Sequence, residues 1–543
     1  MLIGYNTVYL KIFDMKGILA VKLMRNKPAL LFGALLFWLY FRGIGDHGLI
    51  DPLEGINASA SIHMSASGNF FVPRIGSLYL AGKTMLTWWL SALSLRLFGW
   101  GEFAVRFWSA LSGLGMIWAS AAAAKTSSRR SSWLAASICA SFTGCFVVSQ
   151  IASSHAIYSC LTAITMAGAV RSRDNKLWLI PAHVASTLAF IAHGASGLLL
   201  AWMAVIFYSV LCSDWDMLRD FFTWPPGIII TIVSAGFYLV SLIIINPELV
   251  HFLRCRNHAY TFDGIAGAAV FMFICLVPWI GFVVRAVFEV VPRKFPAEKS
   301  PELFMLVWAA VFAFGAAASG DVLSFASCVP ALSAMLGRKL DVWLGKKKLR
   351  SVRISVMINV LVLVPVLYMI LPFTAGIFPV VKASMLSLIP WGILTGLELF
   401  AEWYYTRTRQ ITKWVRNVPA AALLCLMPLA GVFNLTADAY SIREIGRRLR
   451  ETVEGSETVI QYGVNYPSVY FYTFRNSRII EAELTPGLKE KGQVAEFPLI
   501  GQLWGGKERV FLIMPEDKHP ESPLPQNISH ILGAEGILLL SNK

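Results

Sequence analysis

The sequence predicts an α-helical polytopic membrane protein with a small α/β domain at its C-terminal end. Three observations carry that prediction. Apolar runs of bilayer length recur from residue 28 to residue 436, basic residues concentrate on alternate connections between the runs, and the apolar texture stops at Ala437. Of 543 residues, 56% are hydrophobic and only 15% charged, and the mean hydropathy is +0.61. A helix crossing the hydrocarbon core needs roughly 20 apolar residues, with about 17–25 tolerated. Only helices and closed barrels satisfy their backbone groups in lipid, and continuous rather than alternating runs select helices.

Taken in order, the runs place spans at about 28–42, 102–124, 132–151, 156–170, 177–192, 196–212, 224–246, 263–286, 302–318, 322–338, 354–371, 380–403 and 417–436, 13 in all. Lys11, Lys16, Lys22, Arg25 and Lys27 precede the first run, and no clear small-residue cleavage site follows it. An uncleaved first span with a cytoplasmic N-terminus is therefore expected. On that orientation the inner segments carry 27 Lys and Arg, whereas the outer connections carry Arg42, Arg74, Lys83, Arg96, Arg106, Arg254, Arg256 and Lys382. This is the positive-inside asymmetry, and an odd number of spans puts the C-terminal segment outside. Residues 84–99 are apolar enough to span, but counting them would invert every later loop. They are expected on the outer membrane surface, with Trp88 and Trp89 at the interface.

Beyond Ala437, residues 441–454 read as an amphipathic helix, followed by β-prone runs at 458–462, 478–482, 509–514 and 537–540 between Gly, Pro and Asn. That pattern predicts a small α/β domain over 437–543, distinct from the membrane domain over 1–436 with its outer loop 43–101. The net charge of +15 belongs to the membrane part, because residues 437–543 hold 12 Lys and Arg against 14 Asp and Glu. A nucleic-acid partner is therefore not expected. Cysteines stand at 139, 145, 160, 212, 255, 275, 328 and 425, with no CxxC and no Cys/His cluster, so neither a disulfide framework nor a zinc site of that kind is expected.

The distinctive polar residues gather in 43–110. Asp51-Pro52-Leu53-Glu54 reads as a helix start, with Asp at the N-cap, Pro at the first helical position and Glu completing a capping box. The same carboxylates at an outer membrane face could instead serve as general base or acceptor partner. Lys83 is the only Lys between 28 and 124. It reads either as a snorkelling anchor or as the cation that a leaving phosphate needs. Arg254 and Arg256, with His258 and Tyr260 in the loop 247–262, form a second candidate phosphate clamp or a solvated loop. His155 and His193 stand at outer ends of expected spans, where packing or capping competes with a binding role.

The order Asp-Pro-x-Glu, then Ser67-Gly68-Asn69-Phe70-Phe71-Val72-Pro73-Arg74, then Lys83, then Leu97-Phe98-Gly99 and Glu102-Phe103-Ala104-x-Arg106 resembles the first outer loop of the GT-C glycosyltransferases. Within them the chain is most similar to bacterial lipid A aminoarabinose transferases and to protein O-mannosyltransferases. His193-Gly194-Ala195-Ser196-Gly197-Leu198 and Tyr466-Pro467-Ser468-Val469-Tyr470-Phe471-Tyr472 extend the resemblance. It departs where the family has Asp-Glu and this chain Leu53-Glu54, where a second outer Asp becomes Ser154-His155, and where a Lys becomes His193. The resemblance implies a GT-C type fold of about 13 transmembrane helices in a bacterial inner membrane, with a periplasmic C-terminal domain. It implies sugar transfer from a polyprenyl-phosphate donor to a lipid, glycan or protein acceptor, with no nucleotide cofactor and a divalent metal left open. The expected site is Asp51 and Glu54 as catalytic carboxylates, with Lys83, Arg74, His155, His193, Arg254 and Arg256 binding substrate. The alternatives are a GT-C-like scaffold that binds a lipid-linked glycan or protein without chemistry, and a transporter, for which intramembrane charges are few.

Overall fold

A computed structural model of the chain describes residues 27–75, 78–79, 85–126, 129–245, 271–346, 350–359, 361, scattered positions between 393 and 431, 441–453, 457–462, 464, 466–473, 477–482, 504–516, 529–534 and 536–543. Residues 1–42 and 43–543 form two compact units. The first is represented by helix α1 (Lys27–Phe41), apolar after its first residue.

In the second unit the chain makes α2 (Leu53–Ser67), a two-stranded ribbon β1 (Arg74–Ile75) and β2 (Leu78–Tyr79), α3 (Met85–Phe98), α4 (Glu102–Ala124), α5 (Arg129–Ser141) and α6 (Thr143–Gln150). It continues through α7 (Ser154–Arg171), α8 (Leu179–His193), α9 (Ala195–Leu211), α10 (Trp215–Thr223), α11 (Pro225–Ile245), α12 (Ile280–Val290), α13 (Pro301–Ser319) and α14 (Val329–Gly345). Among the described residues, α4 and α13 are each long and apolar enough to cross a membrane, and the bent pairs α5–α6 (56°) and α10–α11 (50°) reach that length together. The run at 132–151 is thus two helices, broken at Phe142, whose extended backbone ends one and starts the next. The run at 322–338 opens as a 3₁₀ turn (Val322–Cys328) before α14. The expected spans at 354–371, 380–403 and 417–436, and the start of 263–286, lie wholly or largely outside the described residues.

Helices α7 and α8 pack antiparallel, so the start of α7 and the end of α8 meet at one end of the bundle. Eighteen residues make α7 about 27 Å long at 1.5 Å per residue. At its far end Asp214 pairs with Arg173 and with Lys299 (3.0 Å), and Glu302 pairs with Arg338 at 2.7 Å. Arg173, Lys299 and Arg338 therefore share the end opposite His155 and His193.

The C-terminal part contains α15 (Arg443–Thr452), β3 (Glu457–Tyr462), α16 (Ser468–Tyr472), β4 (Ser477–Ala482), β5 (Val510–Pro515), β6 (Ser529–Ala534) and β7 (Ile537–Ser541). Its five strands run β4-β3-β5-β7-β6, parallel across β4, β3 and β5 and antiparallel beyond. Four strands, β3, β4, β5 and β7, fall on the β-prone runs expected at 458–462, 478–482, 509–514 and 537–540. The edge strand β6, SHILGA, follows a Pro- and Asn-rich stretch and carries no comparable apolar run.

Candidate active site

Helix α2 organises the site because its sequence, LEGINASASIHMSAS, is rich in Gly, Ala and Ser, whose small side chains let neighbours approach closely on both sides. On one side Ala58 and Ile62 join a core with Ile445, Leu449, Val469 and Phe511 of the α/β part. On the other, Ala60 and Met64 join Trp88 of α3, Ile157 of α7 and Ile191 of α8. The helix lies between the sheet-bearing part and the bundle end that carries His155 and His193.

Buried polar groups fix it there. Glu54 and Arg106 are both fully buried and form a bidentate pair, Nε to Oε1 at 2.8 Å and Nη2 to Oε2 at 2.6 Å. The remaining Arg106 hydrogens go to the carbonyls of Ile44, His47 and Gly48. The Glu54 oxygens also accept the N–H of Ile50 (2.9 Å) and of Ala152 (2.6 Å). Burial pushes the Glu54 carboxyl up, but the Arg106 charge and these four donors outweigh it and hold it below the usual carboxylate range. Glu54 is thus saturated, and through Ala152 it sets the position of α7, three residues before His155. Asn57 does the same work with an amide, donating to Leu53 (3.1 Å) and Ala152 (2.9 Å) carbonyls and accepting from Trp88 Nε1 at 2.8 Å. This corrects the interfacial expectation for Trp88, which is a core residue; Trp89 donates to the Phe70 carbonyl at 2.6 Å.

Asp51 departs from the helix-cap expectation. Its carboxylate accepts the Ser468 N–H at 3.0 Å and the Ser468 hydroxyl instead of capping α2, whose N-cap position is Pro52. Both Ser468 donors stand at the first turn of α16, and they outcompete the cap because one residue supplies them together. A Cβ at Gly55 would overlap Asp51 Oδ1 and lie 2.7 Å from Ser468 N, so only glycine lets this link cross α2. Burial pushes the Asp51 carboxyl up to about 7, more than its bonds to Ser468 pull it down. The neighbouring motif completes the docking: Ser59 Oγ donates to the Pro467 carbonyl (2.6 Å), Leu49 N donates to Tyr472 Oη (3.1 Å), and Tyr472 donates to Glu102 (3.3 Å), which also holds Arg443 (3.0 Å).

His155 and His193, far apart in sequence, meet at the bundle end. His155 Nε2 lies 2.8 Å from Asp321 Oδ2, and His193 Nε2 lies 3.7 Å from the same oxygen. Ser324 donates to that oxygen at 2.9 Å, Tyr158 stacks on the His193 ring at 4.4 Å, and Ser154 Oγ stands 3.4 Å from His193 Nδ1. Burial pushes the Asp321 carboxyl up, yet His155, then His193 and Ser324, hold it well below the ordinary range. Asp321 sits in the turn between α13 and the 3₁₀ segment. Sequence reading missed it, although it is the only acidic residue between Glu302 and Asp341. Arg74 begins the β-ribbon after an Asx turn in which Asn69 Oδ1 accepts from Phe71 and Val72, and with burial it lowers the His63 pKa. Lys83, Arg254 and Arg256 lie outside the described residues.

No protein-family model matches the chain. It is 24% identical over 443 residues to an uncharacterized protein of Aquifex aeolicus, covering 76% of this chain and 86% of that one. It is 25% identical over 445 residues to the undecaprenyl phosphate-alpha-4-amino-4-deoxy-L-arabinose arabinosyl transferase of Pseudomonas savastanoi pv. phaseolicola, covering 76% of this chain and 80% of the relative. Among solved structures it resembles ArnT from Cupriavidus metallidurans bound to undecaprenyl phosphate, with a TM-score of 0.81 at 17% identity over 95% of this chain and 98% of that one. The apo state of the same protein gives 0.80 at 16% over 96% and 98%. The likeness is one of fold: the chain folds as ArnT from Cupriavidus metallidurans does.

Proposed function

We propose that the chain is a multi-pass membrane glycosyltransferase that takes a sugar from a polyprenyl-phosphate donor and passes it to a lipid, glycan or protein acceptor at the outer face of a bacterial inner membrane. The observation that carries the reading is the meeting of α2, α7, α8 and the 319–324 turn at the bundle end opposite Arg173, Lys299 and Arg338, in a fold shared with a protein solved with undecaprenyl phosphate. A donor with a long lipid tail needs a site at membrane depth, and basic connections favour the cytoplasmic side. The C-terminal α/β part then faces the periplasm, with the N-terminus in the cytoplasm.

In this reading the acceptor oxygen bonds to the anomeric carbon, the bond from that carbon to the phosphate oxygen breaks, and polyprenyl phosphate leaves with the electron pair. Asp51 takes the acceptor proton, since a base works best with a pKa near the working pH. Glu54 acts as a positioning residue, because its lone pairs are committed to Arg106, Ile50 and Ala152. Lys83, Arg254 and Arg256, with Arg74, supply the cations for the leaving phosphate. The test is purified protein in liposomes with a panel of undecaprenyl-phosphate sugars. Release of undecaprenyl phosphate that falls at least about 100-fold in Asp51→Asn supports the reading; equal release in the variant removes Asp51 from the chemistry. A second reading, a non-catalytic scaffold, is favoured by Leu53 standing where the family has Asp and by the saturation of Glu54. Tight binding of polyprenyl phosphate without turnover of any donor would select it.

A further inference from the structure

We infer that His155, His193 and Asp321 form a binding site for a divalent transition metal, with Zn²⁺ the ion that best suits the donor set. Among the described residues these three offer ligand atoms that all lie within 4.8 Å of one another. They come from three elements, the first turn of α7, the last residue of α8 and the turn after α13, so nothing local in the chain forces them together. Two imidazoles and one carboxylate are a usual set for Zn²⁺, and less so for Mg²⁺ or Ca²⁺, which prefer oxygen.

The spacing fits. Zn–N and Zn–O bonds of about 2.0–2.2 Å in a tetrahedron put neighbouring ligand atoms about 3.3 Å apart. The two separations from Asp321 Oδ2, 2.8 and 3.7 Å, fall on either side of that value and need shifts of about 0.5 Å to match it, and all three ligand atoms lie within 4.8 Å of one another. The supporting contacts also suit a ligand role. Ser324 Oγ holds the carboxylate at 2.9 Å, and the Tyr158 ring lies flat on the His193 ring. Ser154 Oγ faces His193 Nδ1, so a proton there leaves the Nε2 lone pair directed at Asp321. Without an ion, Oδ2 has only His155 and Ser324 within hydrogen-bond distance, and His193 Nε2 at 3.7 Å stays beyond it although it faces the same oxygen. The three side chains are 10, 17 and 21% exposed, so the site opens to one side. Three protein ligands leave a fourth position for water or a substrate oxygen. On the glycosyltransferase reading, and resting on it, that oxygen is one of the donor's phosphate.

The test is metal content of the full-length protein, purified in detergent through a tag without histidine and dialysed against Zn²⁺, with a parallel Co²⁺ titration. One Zn²⁺ per chain and the intense visible bands of tetrahedral Co²⁺ are expected. Both should be lost in His193→Ala and Asp321→Asn, and affinity should fall about 10–100-fold in Ser324→Ala. If a ligand variant does not fold, the wild-type Co²⁺ spectrum and Ser324→Ala still decide. Wild-type protein with neither stoichiometric Zn²⁺ nor tetrahedral Co²⁺ bands overturns the inference and leaves a histidine–aspartate ion pair. No sugar enters the measurement, so its failure is distinct from failure to transfer one.

Discussion

Replacing Glu54 by glutamine separates a structural from a catalytic role for the fully buried carboxylate at the start of α2. The wild-type oxygens receive four donors: Arg106 Nε and Nη2 and the N–H groups of Ile50 and Ala152. Glutamine keeps the shape but has one acceptor oxygen, so its NH₂ must face two of those donors. It also leaves the Arg106 guanidinium without a counter-charge in a site with no exposure, where one amide oxygen and the carbonyls of Ile44, His47 and Gly48 remain to it. Breaking a buried pair from one side costs about 3–5 kcal/mol. Thermal unfolding in detergent should show a midpoint lowered by several degrees, while transfer per folded molecule at low temperature should change less than about tenfold. A double variant, Glu54→Leu with Arg106→Met, should recover part of the loss, because removing both charges removes the stranded one. An E54Q protein that melts like wild type but has lost transfer would refute the reasoning and return Glu54 to the reaction.

Asp51→Asn should match wild-type stability near pH 3, exceed it increasingly from about pH 4 to pH 7, and keep the full difference near pH 8. The sign follows from a carboxyl raised to about 7 in the folded state from 3.8, so wild-type stability falls as pH rises through that window and the amide removes the slope. Melting curves across the range check it, and parallel curves for the two proteins would contradict it. Gly55→Ala should cost about 1–3 kcal/mol, because its Cβ meets backbone at Ser468; limited proteolysis should then release the 441–543 part faster. Tyr472→Phe removes the hydroxyl that joins Leu49 to Glu102 and should cost about 1 kcal/mol without altering metal content.

Helices were legible because lipid demands long apolar runs: α4 occupies the residues expected of its span, and α7, α8, α9, α11 and α13 lie within a few residues of theirs. Breaks were not, because the bend at Phe142 leaves hydropathy unchanged. The 43–110 stretch stood out by its polar residues, but their partners are remote. Asp51 with Ser468 and Glu54 with Arg106 are separated by 417 and 52 positions, and local capping rules point the Asp51 side chain elsewhere. His155 and His193 were visible as span ends. Asp321, which unites them, looked like part of a short turn, since only the packing of α13 against the start of α7 gives it a role.

The central claim is sugar transfer from a polyprenyl-phosphate donor, and it is tested most directly by mass spectrometry of proteoliposomes holding the purified chain, an undecaprenyl-phosphate sugar and lipid, glycan or peptide acceptors. The account predicts an acceptor heavier by one sugar with stoichiometric undecaprenyl phosphate. Intact donor and unmodified acceptors throughout the panel, with folded protein bound to the donor, would contradict it.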